Sequence, residues 1–154
     1  MLRYPPDCEL ACLDGVVAPA RETRLPVDDP AVQHADGVFE VIRVYEGHAF
    51  ALGEHLQRLA RSARNMRLDR KLDIELLEGE VDALLRARGG SGFDGALRII
   101  VSAEGRRLLV TEPLPRFPPC ARLALVRFES SPLLDGGGRW HGAIHGPSLR
   151  RARS

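Results

Sequence analysis

The sequence predicts one α/β domain, of the α+β type, in which a mixed, mainly antiparallel sheet carries two helices on one face. Three observations predict it. A run near residue 40 alternates like a strand, two later segments repeat apolar residues at helical spacing, and two strand-like runs surround a glycine turn. The 154 residues, 44% of them hydrophobic, suffice for one core. We assign this domain to residues 1–128 and expect residues 129–154 to form an irregular, disordered or frameshifted tail.

The central hairpin begins with the run from Val38 to Tyr45, which has two interleaved faces rich in β-branched and aromatic residues. Glu46-Gly47 forms the turn, because glycine tolerates a positive φ, and residues 48–52 pair back. A helix follows directly. Its apolar residues recur at steps of three and four and are Leu56, Leu59, Ala60, Ala63 and Met66.

A second helix is predicted over residues 74–88, with Asp73 as its N-cap and Gly89-Gly90 at its end. Both faces follow from the helical period. The buried stripe is expected to contain Leu76, Leu77, Val81, Leu84 and Leu85, and the solvated side Glu78, Glu80 and Asp82.

Shorter runs complete the sheet. Residues 9–17 are predicted to form a hairpin around Asp14-Gly15, and residues 96–102 to pair with residues 107–111 across Glu104-Gly105. Residues 122–128 are predicted to be a last strand. The polar segment 21–33 and the proline-rich segment 113–119 are predicted to be a loop and a linker.

Composition excludes several classes of protein. With 22 Lys and Arg against 21 Asp and Glu, the net charge is +1, which favours neither a nucleic-acid partner nor an anionic membrane. No run approaches the roughly 18 apolar residues of a membrane span. Residues 1–7 contain two prolines and no apolar stretch typical of a secretory signal. We therefore expect a cytoplasmic protein.

Cysteines and histidines indicate no metal site. Cys8, Cys12 and Cys120 are too scattered for a disulfide framework, and we interpret Cys8 and Cys12 as small buried thiols on one strand. His141 and His145 are four residues apart, as in a helical metal pair, but glycine and proline around them disfavour a helix.

The first long helix has a second face of interest, on which His55, Arg58 and Ser62 fall together beside the apolar stripe. Two interpretations of Arg58 remain open. Its fork can turn inward and hold a phosphate or carboxylate bidentately, or its stem can cover apolar neighbours while its head stays in water. For Glu40 we expect a structural role, as the partner of an arginine such as Arg43.

Two segments of this region carry a family signature: Ala35–Glu40 (ADGVFE) and, after the hairpin, His55–Ser62 (HLQRLARS). They resemble the G-D-G-x-F-E and H-x-x-R-L-x-x-S motifs of the class IV, fold-type IV pyridoxal-phosphate enzymes. That family includes branched-chain and D-amino-acid aminotransferases and 4-amino-4-deoxychorismate lyase. The resemblance implies pyridoxal 5′-phosphate as the cofactor, with Arg58 on its phosphate. It also implies a homodimer acting on an amino acid and a 2-oxo acid, or on aminodeoxychorismate.

The same resemblance implies three substrate-facing residues, each with a simpler alternative. Phe39 lines the substrate side-chain pocket, a role compatible with an ordinary core phenylalanine. His34 replaces an aromatic that touches substrate, or is merely solvated. Arg98 holds the substrate carboxylate, as in branched-chain members, or forms a surface ion pair. Many members carry an arginine after this strand's hydroxyl residue, where this chain has Ala103.

The C-terminal part departs from the family. There a lysine that forms the Schiff base with the cofactor follows a segment similar to Ser130–Gly136, whereas the only lysine of this chain is Lys71. We therefore predict no catalytic residue in this chain and attribute residues 137–154 to a truncation or frameshift. Two functions stay open. The chain is an aminotransferase-like or lyase-like N-terminal domain without turnover alone, or it is a small non-enzymatic domain for dimerisation or ligand binding.

Overall fold

The computed structural model describes Tyr4, residues 8–68, residues 72–114 and Cys120. Within these residues a six-stranded sheet has the strand order β2-β1-β6-β5-β3-β4. Its strands are β1 (Leu10–Leu13), β2 (Val16–Pro19), β3 (Gly37–Tyr45), β4 (His48–Ala49), β5 (Gly95–Ser102) and β6 (Arg107–Glu112). The helices are α1 (Pro30–Gln33), α2 (Leu52–Asn65) and α3 (Ile74–Arg88).

The predicted fold class is confirmed, and the five strand pairings of the described sheet are all antiparallel. Each hairpin closes where the sequence places its turn, and Glu46 and Gly47 both have positive φ values, of 47° and 77°. The hairpin β1–β2 lies at one edge of the sheet, as the family resemblance implies.

Helices α2 and α3 pack on one face of the sheet, where their apolar stripes share a single core with alternate residues of the central strands. Leu56 and Leu59 of α2 and Leu77 and Leu84 of α3 are fully buried in it. Helix α3 begins as predicted, because the Asp73 carboxylate accepts a hydrogen bond from the Leu76 N–H at 3.0 Å.

Two predictions for α3 are wrong. Glu80, assigned to the solvated side, is 5% exposed, because Arg107 of β6 neutralises its carboxylate beneath the helix. Leu76, assigned to the buried stripe, is 46% exposed. Since neighbouring residues differ by about 100° on a helix, Leu77 occupies the inward position and Leu76 does not.

The prediction that the segment 21–33 is wholly loop is wrong. It contains part of a short 3₁₀ turn at Ala20–Glu22 and the single-turn helix α1. Helix α1 forms because Asp29 caps it, accepting from the Ala31 N–H at 2.8 Å, and because proline suits the first helical position.

The cysteine predictions hold in part. All three thiols are free, and Cys12 is buried, which raises the pKa of its thiol. Cys8 is half-buried and precedes β1 rather than lying on it. The predicted strand 122–128, most of the linker, the tail 129–154 and Lys71 lie outside the described residues.

Candidate functional site

Glu40 lies at the centre of a polar cluster that it forms with His55 and Arg58. The alternation of β3 turns it to the same face as Val38, Ile42 and Val44, which is the face covered by α2. Its side chain is 4% exposed. A carboxylate buried among apolar residues is costly unless it is paired and hydrogen-bonded, so its partners determine whether this arrangement is stable.

Those partners are two residues of α2, one helical turn apart. Arg58 donates from Nε to Oε1 at 2.6 Å and from Nη2 to Oε2 at 2.5 Å, a bidentate pair. His55 Nδ1 lies 2.9 Å from Oε2, within donating distance. Burial alone would raise the pKa of Glu40, but the hydrogen bonds from Arg58 and His55 outweigh it and lower that pKa.

Glu40 is the partner of an arginine, as predicted, but that arginine is Arg58 and the suggested partner Arg43 is wrong. Arg43 is three positions after Glu40 on one strand, so the two side chains point to opposite faces of the sheet. Arg43 instead donates to Asp94 at 3.1 Å and to the Gly95 carbonyl at 2.8 Å, and its guanidinium lies 4.2 Å from the centre of the Tyr45 ring.

Arg58 combines an anchored fork with an exposed head. Its side chain is 59% exposed although two of its nitrogens are held by Glu40. Nη1 has no hydrogen-bond partner among the described residues. The structure thus excludes a purely solvated arginine and adds an internal carboxylate that competes with any external anion for the guanidinium.

Phe39 and Arg98 lie on the other face of the sheet. In the β3–β5 register Phe39 is opposite Ile100, and Arg98 is opposite Val41. Phe39 and Arg98 are therefore diagonal neighbours, whose Cα atoms are expected to be roughly 7–8 Å apart. Arg98 donates to both carboxylate oxygens of Glu112, at 2.6 and 3.2 Å. The surface ion pair that the sequence left open is present.

His34 is the exposed C-cap residue that follows α1, where its N–H donates to the Pro30 carbonyl at 2.9 Å. The sequence-predicted residues therefore form two groups. Phe39 and Arg98 share the face opposite the helices, and Arg58 lies on the helix side. The peptide bond between Phe39 and Glu40 connects the two groups through β3.

A comparison with known families decides what this arrangement belongs to. A family model for amino-transferase class IV matches residues 37–132, which is more than half of the chain. The matched range includes Phe39, Glu40, His55, Arg58 and Arg98. The chain belongs to the class IV aminotransferase family. The family resemblance of the two sequence motifs is thereby confirmed.

Individual class IV relatives agree. The chain is 33% identical over 91 residues to a putative branched-chain-amino-acid aminotransferase of Methanocaldococcus jannaschii, covering 58% of this chain and 31% of the relative. It is 38% identical over 91 residues to a bifunctional aminodeoxychorismate lyase / D-amino acid transaminase of Mycobacterium tuberculosis, with the same two coverages. The match thus spans about a third of the length of these curated relatives.

The fold agrees as well. A hypothetical aminotransferase from Mycobacterium tuberculosis, solved in a PLP-bound form, superposes with a TM-score of 0.63 and 30% identity. The superposition covers 70% of this chain and 40% of that one. The described sheet and helices are therefore an arrangement found in class IV aminotransferases.

The sequence-based interpretation of this class IV domain missed the link between its two motifs. Glu40 ends the first motif, and His55 and Arg58 belong to the second; the sequence grouped His55 with Arg58 but did not connect either of them with Glu40. The signal was available: alternation along β3 places Glu40 on the helix side, and residues spaced three apart share one helix face.

Other sites are not visible in this part of the class IV chain. Among the described residues, no three His, Cys, Asp or Glu side chains form a cluster that could hold a metal ion. His141 and His145 lie outside these residues. No helix in the described ranges is long and apolar enough to cross a membrane.

Proposed function

We propose that this chain provides the N-terminal part of a pyridoxal-phosphate site in an enzyme that transfers an amino group between an amino acid and a 2-oxo acid, or eliminates pyruvate from aminodeoxychorismate. Arg58 holds the cofactor phosphate. The observation that carries the proposal is the anchored but outward-facing guanidinium of Arg58, placed on the second of two family motifs.

The chain's own residues fit the cofactor in part. The Arg58 side chain is 59% exposed, and Glu40 holds only its Nε and Nη2, so Nη1 is left to donate to a phosphate oxygen. When bound, pyridoxal phosphate supplies a ring that withdraws electrons from the substrate's α-carbon. The described residues include no lysine, so none of them can attach the cofactor covalently, and Lys71 lies outside them.

The substrate side of the proposal rests on the opposite face of the sheet. Phe39 forms an apolar wall, and Arg98 binds the substrate carboxylate, to which its bidentate geometry is suited. A carboxylate ligand at Arg98 must displace or share the contact with Glu112. His34 approaches the substrate from the end of α1. Homodimer formation and a cytoplasmic location belong to the same proposal.

A second candidate is a non-enzymatic ligand-binding or dimerisation domain with the same fold. The observation that favours it is internal neutralisation: Glu40 already holds Arg58, and Glu112 already holds Arg98. In that case both arginines stabilise the domain, and neither binds an external anion. The two candidates differ in whether Arg58 contributes to phosphate affinity.

Pyridoxamine 5′-phosphate is the probe that separates them, since it carries the phosphate and the ring but needs no lysine. Its affinity for the full chain is measured by titration calorimetry for the wild type, Arg58→Ala and the control Arg61→Ala. Arg61 is exposed on the same helix, so both variants remove one positive charge. We expect Arg58→Ala to weaken binding about tenfold or more, because a charge-assisted hydrogen bond is lost, with Arg61→Ala close to the wild type. Equal affinities of the two variants would refute the role of Arg58.

A further inference from the structure

We infer that Glu40 and His55 are positioning residues for Arg58: they hold its guanidinium so that Nη1 faces outward to an incoming phosphate. This inference rests on the proposed function of Arg58. It goes further by assigning roles to the buried carboxylate and to the histidine of the second motif, neither of which touches the phosphate itself.

The geometry of the ion pair supports this inference first. Nε and Nη2 form one edge of the planar guanidinium, and both donate to Glu40. Two parallel hydrogen bonds fix the plane as well as the position of the group. The remaining nitrogen, Nη1, points away from the pair. An arginine that is 59% exposed would otherwise sample many rotamers, whose freedom would be lost on binding.

The anchor itself is rigid. Glu40 is in the middle of the nine-residue strand β3, opposite Ile99 of β5, and its side chain is 4% exposed. His55 contacts Oε2 at 2.9 Å, so one oxygen is held by two residues of α2 and the carboxylate cannot turn away from Arg58. His55 therefore acts on Arg58 through Glu40, and its Nδ1 also lies 3.4 Å from Arg58 Nη2.

Charge makes the inference testable, because positioning and electrostatic attraction predict opposite outcomes. Glu40 partly cancels the positive charge of Arg58. If charge alone decided the affinity for phosphate, neutralising Glu40 would tighten binding. If Glu40 positions the fork, its neutralisation weakens binding, because one of the two hydrogen bonds is lost and the plane of the guanidinium is released.

The experiment measures the affinity of the full chain for pyridoxamine 5′-phosphate and for inorganic phosphate in the variants Glu40→Gln and Glu54→Gln. Glu54 is exposed in the first turn of α2, one turn before Arg58, so its substitution removes the same charge near Arg58 while the Arg58–Glu40 pair stays intact. We expect Glu40→Gln to bind about tenfold more weakly, as for loss of a hydrogen bond between charged groups, and Glu54→Gln to stay within about twofold of the wild type.

A second readout follows Arg58 without any ligand. In ¹⁵N-labelled protein, the Nε–H of a bidentate arginine gives a signal protected from solvent exchange. We expect that signal, assigned by its loss in Arg58→Lys, to be present in the wild type and lost in Glu40→Gln. If Glu40 contributed only to folding, a Glu40→Gln variant with native far-UV circular dichroism would keep the protected Nε–H signal of Arg58.

His55 provides a conservative pair of variants that keeps the test decisive if Glu40→Gln does not fold. Asn carries an N–H close to the position of Nδ1, whereas Leu carries none. We expect His55→Asn to bind the two probes like the wild type and His55→Leu to bind them about threefold more weakly, a fraction of one hydrogen bond.

The outcomes distinguish a failure of the positioning inference from a failure of the proposed function. If Arg58→Ala weakens binding while Glu40→Gln binds as well as or better than the wild type, the positioning inference is overturned and the proposed function stands. If Arg58→Ala has no effect, the proposed function fails. In that case the positioning inference, which rests on that function, is overturned with it.

Discussion

Replacing Glu80 with Gln tests the least expected feature of the core. The carboxylate of Glu80 is buried under α3. Both of its oxygens accept from Arg107 Nε, each at 3.0 Å, and Oε1 also accepts from Nη2 at 2.9 Å. Breaking a buried ion pair from one side costs about 3–5 kcal/mol. Arg107 is 22% exposed and also lies 3.8 Å from Asp14, so its charge is not left fully unpaired. We therefore expect a loss of about 2 kcal/mol, near the value for hydrogen bonds between charged groups.

Urea unfolding followed by far-UV circular dichroism measures this loss. With a slope of about 2 kcal/mol per molar urea, the midpoint of Glu80→Gln should fall by about 1 M. Glu78→Gln is the matched control, because Glu78 is exposed on the same helix, and it should change the free energy of unfolding by less than about 0.5 kcal/mol. Equal midpoints for the two variants would mean that the Glu80–Arg107 pair does not stabilise the packing of α3 on the sheet.

Three further predictions concern other elements. Asp73→Ala removes the N-cap of α3 and should cost about 1 kcal/mol in urea unfolding. Gly47→Ala should cost about 2 kcal/mol or more, because φ is +77° and the new Cβ would clash with the Gly90 carbonyl; unchanged stability would contradict this geometry. The lowered pKa of Glu40 stabilises the fold above its unfolded value of 4.5, and this contribution is lost as the pH falls through the folded pKa. Unfolding free energies measured between about pH 6 and pH 3 should therefore fall less steeply in a Glu40→Gln variant than in the wild type.

Local patterns predicted the elements of this domain well, because each depends on residues near in sequence. Alternation identified β3, and three- and four-residue spacing identified α2 and α3. The Asp73 cap and the Glu46-Gly47 turn are local preferences of the backbone. The same locality explains why α1 was missed: a single turn held by Asp29 and Pro30 has no apolar period to reveal it.

Pairing of charges was predicted poorly, because the partners are distant in sequence. Glu40 meets Arg58 eighteen residues later, and Glu80 meets Arg107 twenty-seven residues later. A helical wheel places Glu80 on a polar flank, and only the position of β6 beneath α3 turns that flank into the interior. Arg43 seemed a suitable partner for Glu40 by distance along the chain, but the sheet separates their faces.

The sequence by itself determined the family and the elements, because motif residues and hydrophobic periods are properties of short segments. Through the family resemblance it also led to the proposal that Arg58 faces the cofactor phosphate. Only the tertiary structure showed that Glu40 and His55 hold this arginine, and that Phe39 and Arg98 lie across the sheet from it. The physical reason is that the stability of a buried charge depends on which groups surround it in space, and the packing of α2 on β3 determines those groups.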